Sequence, residues 1–376
     1  MPIGAQKNWI YGAALPVLGL RTDWKPQSAL ERALKRRHAV GATVQLMRGG
    51  ALAECTSVGY ARLNPAMPAT NETIYRTASI AKLAAALLVM RLQTKGLLNV
   101  DEDISAFWGA PIRNPHCPEV PIPLASLMGH TSGLVDCAAY YDAFQTGATV
   151  SDLLQSGACF APRKPGERFV YSNFAAGLIG CLLEKRFGES LEALAQRELF
   201  HPLGVTATFA LSTLAGKPVA DSYRVLPPSR RPAFDAAERI ASAKSVLTPD
   251  SERHFLLAAG GLFLTAPDLA KLTLLGLREP FLSADSLRRM KAPLAEWPNQ
   301  RLRMTHGLGL LCLNDPSVYP RPLYGHQGFA YGAVNGVLVD AAGNGFVCLN
   351  SGASEQRLGH LSRLNADLSR LAGGAQ

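Results

Sequence analysis

Charge is scarce in this chain. Only 18% of its 376 residues are Asp, Glu, Lys or Arg, well below the usual share. A disordered chain and a long coiled coil both need denser charge, so neither is expected. The basic excess is small, a net +9, and it is scattered, with short clusters only at Lys35-Arg36-Arg37 and Arg230-Arg231. No stretch interleaves aromatic and basic residues, so no nucleic-acid partner is expected. The charge implies a mildly basic surface that favours anionic substrates or surfaces. Paired cysteines are also missing. Seven cysteines stand at 55, 117, 137, 159, 181, 312 and 348, an odd number with no Cys-x-x-Cys pair. That argues against a zinc site and against a disulfide framework. Most lie in apolar contexts such as Gly180-Cys181-Leu182-Leu183, as small core residues do, which leans toward a reducing, cytoplasmic compartment. No run reaches the roughly 18 uninterrupted apolar residues of a membrane-spanning helix, so no integral membrane segment is expected. Trp9 to Leu20, after Lys7, is shaped like a short signal core. Gly12 and Pro16 interrupt it and no small-x-small cleavage site precedes Arg21. Export, to a periplasm or beyond, stays open as the second reading. Walker loops, His-Glu-x-x-His zinc helices, Gly-x-Ser-x-Gly elbows and internal repeats are absent.

Apolar residues are plentiful at 48%, ample for a large core. Gln27 to Arg37 reads as an amphipathic helix with Leu30 and Leu34 on one face. Gly41 to Arg48 and Ala51 to Tyr60 read as a hairpin across Gly49-Gly50. From Val100 to about Ala210 the character is helical, with longer helices at Phe174 to Phe187 and Ser190 to Leu199. Leu211 to Pro249 carries several prolines and little periodicity, which predicts a long surface excursion. Thr265 caps a helix with Pro267 in its first turn. The last quarter reads as a meander over Gly307–Leu313, Tyr324–His326, Ala333–Asp340 and Gly345–Leu349, closed by a helix from Gln356 to Leu371. Strands and a helix at both ends with helices between predict an antiparallel sheet built from both termini. Residues 1–26 form an N-terminal extension on this reading. Residues 27–85 and 250–376 form an α/β sheet domain flanked by helices, and 86–249 form an inserted, mostly helical lobe. The cleft between lobes is the expected site.

One stretch looks chemical. Tyr75-Arg76-Thr77-Ala78-Ser79-Ile80-Ala81-Lys82 runs into an Ala/Leu-rich helix. Thr77 or Ala78 falls near the N-cap, so Ser79 lies in the first turn with Lys82 one turn on, on the same face. A cation beside a serine, at the positive end of a helix, favours the alkoxide and suits an acyl-transfer nucleophile. A serine at a helix start is more often only a cap, and Ser-x-x-Lys occurs about once by chance in a chain this long. Two further stretches lift the reading. Tyr171-Ser172-Asn173 precedes a helix, and a lysine cation near Tyr171 would lower its phenol pKa toward that of a general base. The plainer alternative is a half-buried tyrosine followed by an asparagine cap. Tyr324-Gly325-His326-Gln327-Gly328-Phe329 lies on a predicted strand whose glycines permit close approach to a ligand, or merely form a bulge.

In order and in their long gaps, Ser79-Ile80-Ala81-Lys82, Tyr171-Ser172-Asn173 and His326-Gln327-Gly328 resemble the signature of class C β-lactamases and their relatives. Those relatives are D,D-peptidases, D-aminopeptidases and β-lactamase-like carboxylesterases. Gly129-His130-Thr131-Ser132-Gly133-Leu134 is similar to that family's structural turn, and the resemblance runs from about Gln27 to the C-terminus. It implies the β-lactamase/transpeptidase-like α/β sandwich with an inserted helical lobe. It implies Ser79 as the acylated nucleophile, activated by Lys82 and Tyr171, with Asn173 bonding Lys82 and substrate. The backbone N–H groups of Ser79 and Phe329 would form the oxyanion hole, and His326 and Gly328 would line the substrate. No cofactor or metal is implied. The expected partner is a small-molecule ester, amide or D-amino-acid peptide. β-Lactamases carry Lys-Thr-Gly or Lys-Ser-Gly where this chain has His326-Gln327-Gly328, which predicts weak β-lactam hydrolysis. A free histidine charges below about pH 6.5, so carboxylate-bearing substrates are expected to gain there. Three alternatives carry the same residues: an acyltransferase in which an alcohol or amine replaces water, a true β-lactamase, and a catalytically silent penicillin-binding-like sensor. Intact Ser79, Lys82 and Tyr171 argue against the silent form.

Overall fold

A computed structural model describes residues 18–19, 24–226, 229–298 and 301–374. Its centre is a nine-stranded antiparallel sheet. The strands in chain order are β1 (Gly41–Arg48), β2 (Ala51–Leu63), β3 (Ala66–Pro68), β4 (Ala295–Glu296), β5 (Met304–His306), β6 (Leu311–Leu313), β7 (Leu323–Ala330), β8 (Ala333–Val339) and β9 (Gly345–Asn350). Across the sheet they run β4-β5-β6-β7-β8-β9-β1-β2-β3. The sequence expectation of a sheet built from both termini therefore holds, and the seam is the β9–β1 pair, from Gly345 opposite Met47 to Asn350 opposite Ala42. Helices cover both faces. Because of that, β1, β8 and β9 are buried at nearly every position. Val334, Leu338 and Phe346 face one side, with Leu30 and Leu34 of α1 (Ala29–Arg36). Leu364 and Leu368 of α5 (Arg363–Ala372) join them there. Val337, Val339, Val347 and Leu349 face the other side and join the main core.

That main core surrounds α2 (Ala81–Thr94). Eleven of its fourteen residues are buried, as a helix apolar all round requires. It packs with α3 (Asn173–Phe187) and α4 (Ala266–Gly276). Each begins on a side-chain cap. Ser172 accepts from the N–H of Ala175 and Thr265 from that of Asp268, with Pro267 in the first turn. Gly188 in left-handed geometry ends α3.

Four expectations change. Residues 211–249 are not a bare surface excursion: Ser222–Leu226 and Ser229–Phe234 pair as strands, and Ala236–Ala241 is a helix. Buried Tyr223 anchors this unit, donating to Asp221 and accepting from the N–H of Leu63. Its strands are too short to show a period. The closing helix starts at Arg363, capped by Ser362, because Arg357–Leu358 and Leu361–Ser362 pair first. Of the expected 307–313 strand only Leu311–Leu313 (β6) forms; residues 307–310 are the turn that joins it to β5, which ends at His306. Cys137 and Cys159 form a disulfide. An odd count leaves room for one pair, and the N–H of Val135 bonding to the carbonyl of Cys159 draws the two segments together. Trp9–Leu20 lies outside the described residues except for Leu18 and Gly19, whose backbones pair with Arg230 and Ser229. Among the described residues no helix is long and apolar enough to cross a membrane.

Close packing inside the helical layer has a measurable consequence at Gly177 in α3. Alanine in place of a helix glycine ordinarily stabilises by about 1 kcal/mol. A Cβ at Gly177 would lie 1.7 Å from the carbonyl oxygen of Phe255. Overpacking of this kind costs about 1–3 kcal/mol, so the sign reverses. Gly177→Ala should lower Tm by roughly 2–8 °C in calorimetry. An unchanged or raised Tm would show that the Phe255 segment yields without cost.

Candidate active site

Ser79 sits on a single 3-10 turn, Ala78–Ile80, that runs directly into α2. Thr77 occupies the cap position, but its hydroxyl donates to the carbonyl of Leu262 at 3.0 Å rather than capping the helix. Ala78 has φ of +54°. A left-handed conformation costs a non-glycine residue about 1–2 kcal/mol, and here it turns the chain sharply just ahead of Ser79. Lys82 lies one turn on and is buried. Its Nζ contacts Ser79 Oγ at 3.2 Å, Asn173 Oδ1 at 2.9 Å and the carbonyl of Ala259 at 2.7 Å. Burial, partly offset by the charge of Asp136 and aided by Arg76, lowers the Lys82 pKa to about 7. An ammonium has three protons for those three acceptors. A neutral amine has two, and it then turns its lone pair toward the one acceptor that is also a donor, the Ser79 hydroxyl.

Tyr171 reaches the same point from the segment before α3. Its phenol lies within hydrogen-bonding reach of Ser79, and its ring faces Lys82 Nζ at 5.1 Å. The expected lowering of its pKa does not occur. Burial pushes the phenol above its ordinary value, against the smaller opposing effects of Ser79 and Arg357. The ring is wedged between aromatic neighbours, His130 at 4.4 Å and Trp297 at 5.7 Å between centroids. Asn173 is the first residue of α3 and not its cap, which is Ser172.

The third motif is closest to expectation at its glycine. A Cβ at Gly328 would lie 2.2 Å from the carbonyl oxygen of Thr77 and 3.3 Å from the Ser79 nitrogen, so only glycine lets β7 pass this close to the Ser79 turn. β6 pairs with Leu323–Gly325 alone, leaving His326 onward without a strand on that edge. Val334 bonds through both its N–H and its C=O to the side chain of Asn350, away from β7. In an antiparallel pair its partner Phe329 must then direct its own N–H away from β8, to the open edge. Above Phe329, Arg357 stacks at 4.3 Å.

His326 and Gln327 depart from expectation. His326 is buried and donates Nδ1–H to the carbonyl of Gln327 at 2.7 Å. Burial, His306 and Lys82 lower its pKa to about 3. It does not charge near pH 6.5, so the expected gain for carboxylates has no physical basis. Gln327 points to the opposite face of the sheet, where it donates to the carbonyl of His360 and accepts from the N–H of Ser362. It offers nothing to Ser79.

Several residues at the site were not singled out from sequence. His306 is buried beside His130 and His326, at 5.0 and 6.3 Å between centroids, with its pKa lowered to about 4 by burial. His130, already quoted within the Gly129–Leu134 turn, also stays well below its ordinary pKa through burial. Asp136 accepts from Ser172 Oγ, from Asn173 Nδ2 and from the N–H of Phe174 at 2.9, 2.8 and 2.9 Å. The available signal was its place two residues after the Gly129–Leu134 turn. A cavity of about 800 Å³ lies behind Trp297, lined also by Lys291, Arg303, Met304 and Tyr324. Ser79, Lys82 and Tyr171 do not line it.

Comparison with known proteins bears on the family and the fold. The Beta-lactamase family model matches residues 27–367. Penicillin-binding protein 4* of Bacillus subtilis (strain 168) is 25% identical over 190 residues, 49% of this chain and 41% of that protein. Esterase EstB of Burkholderia gladioli is 27% identical over 197 residues, 47% of this chain and 49% of that protein. The chain thus spans less than half the length of each of these relatives. A solved structure titled EstCE1, a hydrolase with promiscuous acyltransferase activity, shares the fold with a TM-score of 0.71 at 22% identity, covering 92% of this chain and 97% of that one. With the family model matching nearly end to end, this chain belongs to the Beta-lactamase family.

Proposed function

We propose that this chain is a serine hydrolase that cleaves an ester or amide through an acyl-enzyme on Ser79. The observation that carries the reading is Lys82: a buried amine of pKa about 7, held by Asn173 and Ala259 with its third direction on Ser79 Oγ. Near neutral pH about half of such amines are unprotonated. The neutral amine takes the Ser79 proton as the oxygen attacks the substrate carbonyl. The N–H groups of Ser79 and Phe329 receive the developing oxyanion. Tyr171, kept protonated by burial, does not start the reaction as a base. It relays the proton from the Lys82 ammonium to the leaving group, so the bond to that group breaks as its proton arrives. Water then enters, Lys82 takes its proton, and the reverse sequence frees Ser79 and the acid.

The third motif supports a neutral acyl substrate. His326 is uncharged and enclosed, and Gln327 is turned away. No cation stands at this position to hold a substrate carboxylate, and a neutral ester loses nothing by that. The esterase among the relatives agrees with this reading.

Three outcomes are expected. Ser79→Ala should remain folded and lose all labelling by a fluorophosphonate probe; full labelling of the variant would sink the assignment of the nucleophile. Lys82→Ala and Tyr171→Phe should each reduce kcat by about 10²-fold or more, and the double variant should fall far short of the product of the two. Simple multiplication of the losses would mean that the two residues do not act on the same proton. Short-chain p-nitrophenyl esters should be turned over with higher kcat/KM than a chromogenic cephalosporin. Activity on both should rise with pH through the Lys82 pKa near 7, because the unprotonated amine is the active form, with no compensating gain for the carboxylate-bearing substrate at pH 5–6.5. A cephalosporin hydrolysed faster than every ester and D-alanyl peptide tested would make the protein a β-lactamase in function.

A further inference from the structure

Building on the acyl-enzyme reading, we propose that Asp136 is a positioning residue of the site, whose carboxylate decides which way the Asn173 carboxamide faces and thereby aims the Lys82 lone pair at Ser79. The argument begins with hydrogen-bond inventory. A carboxylate only accepts, whereas a carboxamide has one accepting and one donating end. Asp136 Oδ2 lies 2.8 Å from the Asn173 side chain, so the end that faces it must be the NH₂. The other end, at 2.9 Å from Lys82 Nζ, must then be the carbonyl oxygen. With Asn173 and Ala259 both presenting acceptors, a neutral Lys82 spends its two protons on them and its lone pair is left for the Ser79 hydroxyl. A flipped Asn173 would donate to Lys82 and occupy that lone pair. The base would then be present and misdirected.

Asp136 is itself held from several sides. Ser172 Oγ and the N–H of Phe174 donate to its other oxygen. The phenol of Tyr141 is also close enough to feel this carboxylate, and burial together with that charge pushes its pKa up to about 12. Both neighbours in sequence are tied to Cys159: Cys137 by the disulfide, Val135 by its N–H to the carbonyl at 2.9 Å. The loop thus fixes the carboxylate against the start of α3, where Asn173 begins the helix.

The charge of Asp136 has a second effect that separates positioning from mere support. The charged and titratable groups facing Lys82 are Arg76, Asp136, Tyr171 and the three imidazoles His130, His306 and His326. Asp136 stabilises the ammonium and Arg76 opposes it. Removing the Asp136 charge lowers the Lys82 pKa. The acid limb of the rate profile then moves to lower pH even as the plateau falls. A residue that only braced the fold would lower the plateau and leave the limb in place.

The test is the second-order rate of fluorophosphonate labelling of Ser79 between pH 5 and 9, for wild type, Asp136→Asn and Asp136→Glu. Asp136→Asn should lose about 10-fold or more of the plateau, and its limb should shift down by roughly one pH unit, the size expected for loss of a nearby opposite charge. Asp136→Glu, which keeps the charge at a changed length, should keep the limb at the wild-type position. If Asp136→Asn does not fold, Asp136→Ser with formate added should show the same downward shift without formate and its reversal with it. A limb that stays put in the uncharged variants, or moves as far in Asp136→Glu, overturns the proposal. A wild-type profile with no limb near pH 7 would instead sink the reading of Lys82 as base, and this inference with it.

Discussion

A buried amine must be met on every side, and at Lys82 that requirement ties distant parts of the chain together. Its carbon stem lies in the apolar core of α2, and the residue as a whole is buried. Leaving such a group unmatched costs several kcal/mol. Three segments supply the acceptors: Ala259 from the helix before β-strand Phe263–Leu264, Asn173 from α3, and Ser79 from its own turn. The first and last lie 180 residues apart along the chain. Their meeting is possible only because the core packs α2 against α3 and the 257–260 helix without gaps. At Gly177 an added methyl group would press on the carbonyl of Phe255, and at Gly328 on that of Thr77.

The same burial sorts the proton-bearing groups of the site by sign. An amine loses basicity when desolvated, a phenol loses acidity, and an imidazole resists charge. So Lys82 comes down into the neutral range, Tyr171 moves up and stays protonated, and His130, His306 and His326 stay neutral. One environment leaves a single group able to exchange a proton near pH 7. This division of labour differs from a tyrosinate base, for which a nearby permanent cation and better solvation would be needed.

How much of this could be read from residues alone follows from range. The i, i+3 relation of Ser79 and Lys82 is local, and helix geometry delivers it. The tyrosine and asparagine of Tyr171-Ser172-Asn173 were legible by resemblance of a three-part pattern, and the two-ended sheet by the order of strands and helices. What stayed hidden depends on the third dimension. The alternation of side chains along β7 puts His326 and Gly328 toward Ser79 and Gln327 toward α5, and one residue of register would have reversed it. Asp136 has no periodicity or motif of its own chemistry to mark it. The Cys137–Cys159 bridge was masked by an odd cysteine count, and the 222–234 hairpin by strands too short to show a period.

Replacing the lysine of related third motifs by histidine has a physical consequence in this setting. A lysine there would place a second ammonium beside Lys82, in a region already facing Arg76 and Arg357. Such a cation holds the base deprotonated at lower pH and attracts an anionic substrate. Histidine at 326 does neither, because its enclosure and the nearby Lys82 keep it neutral. The charge balance at Lys82 then rests on Asp136 against Arg76, and the pKa near 7 is the result of that balance with burial. Position 326 itself therefore offers no charge to a substrate carboxylate, and this is the observation behind the proposed preference for acyl groups that arrive without charge.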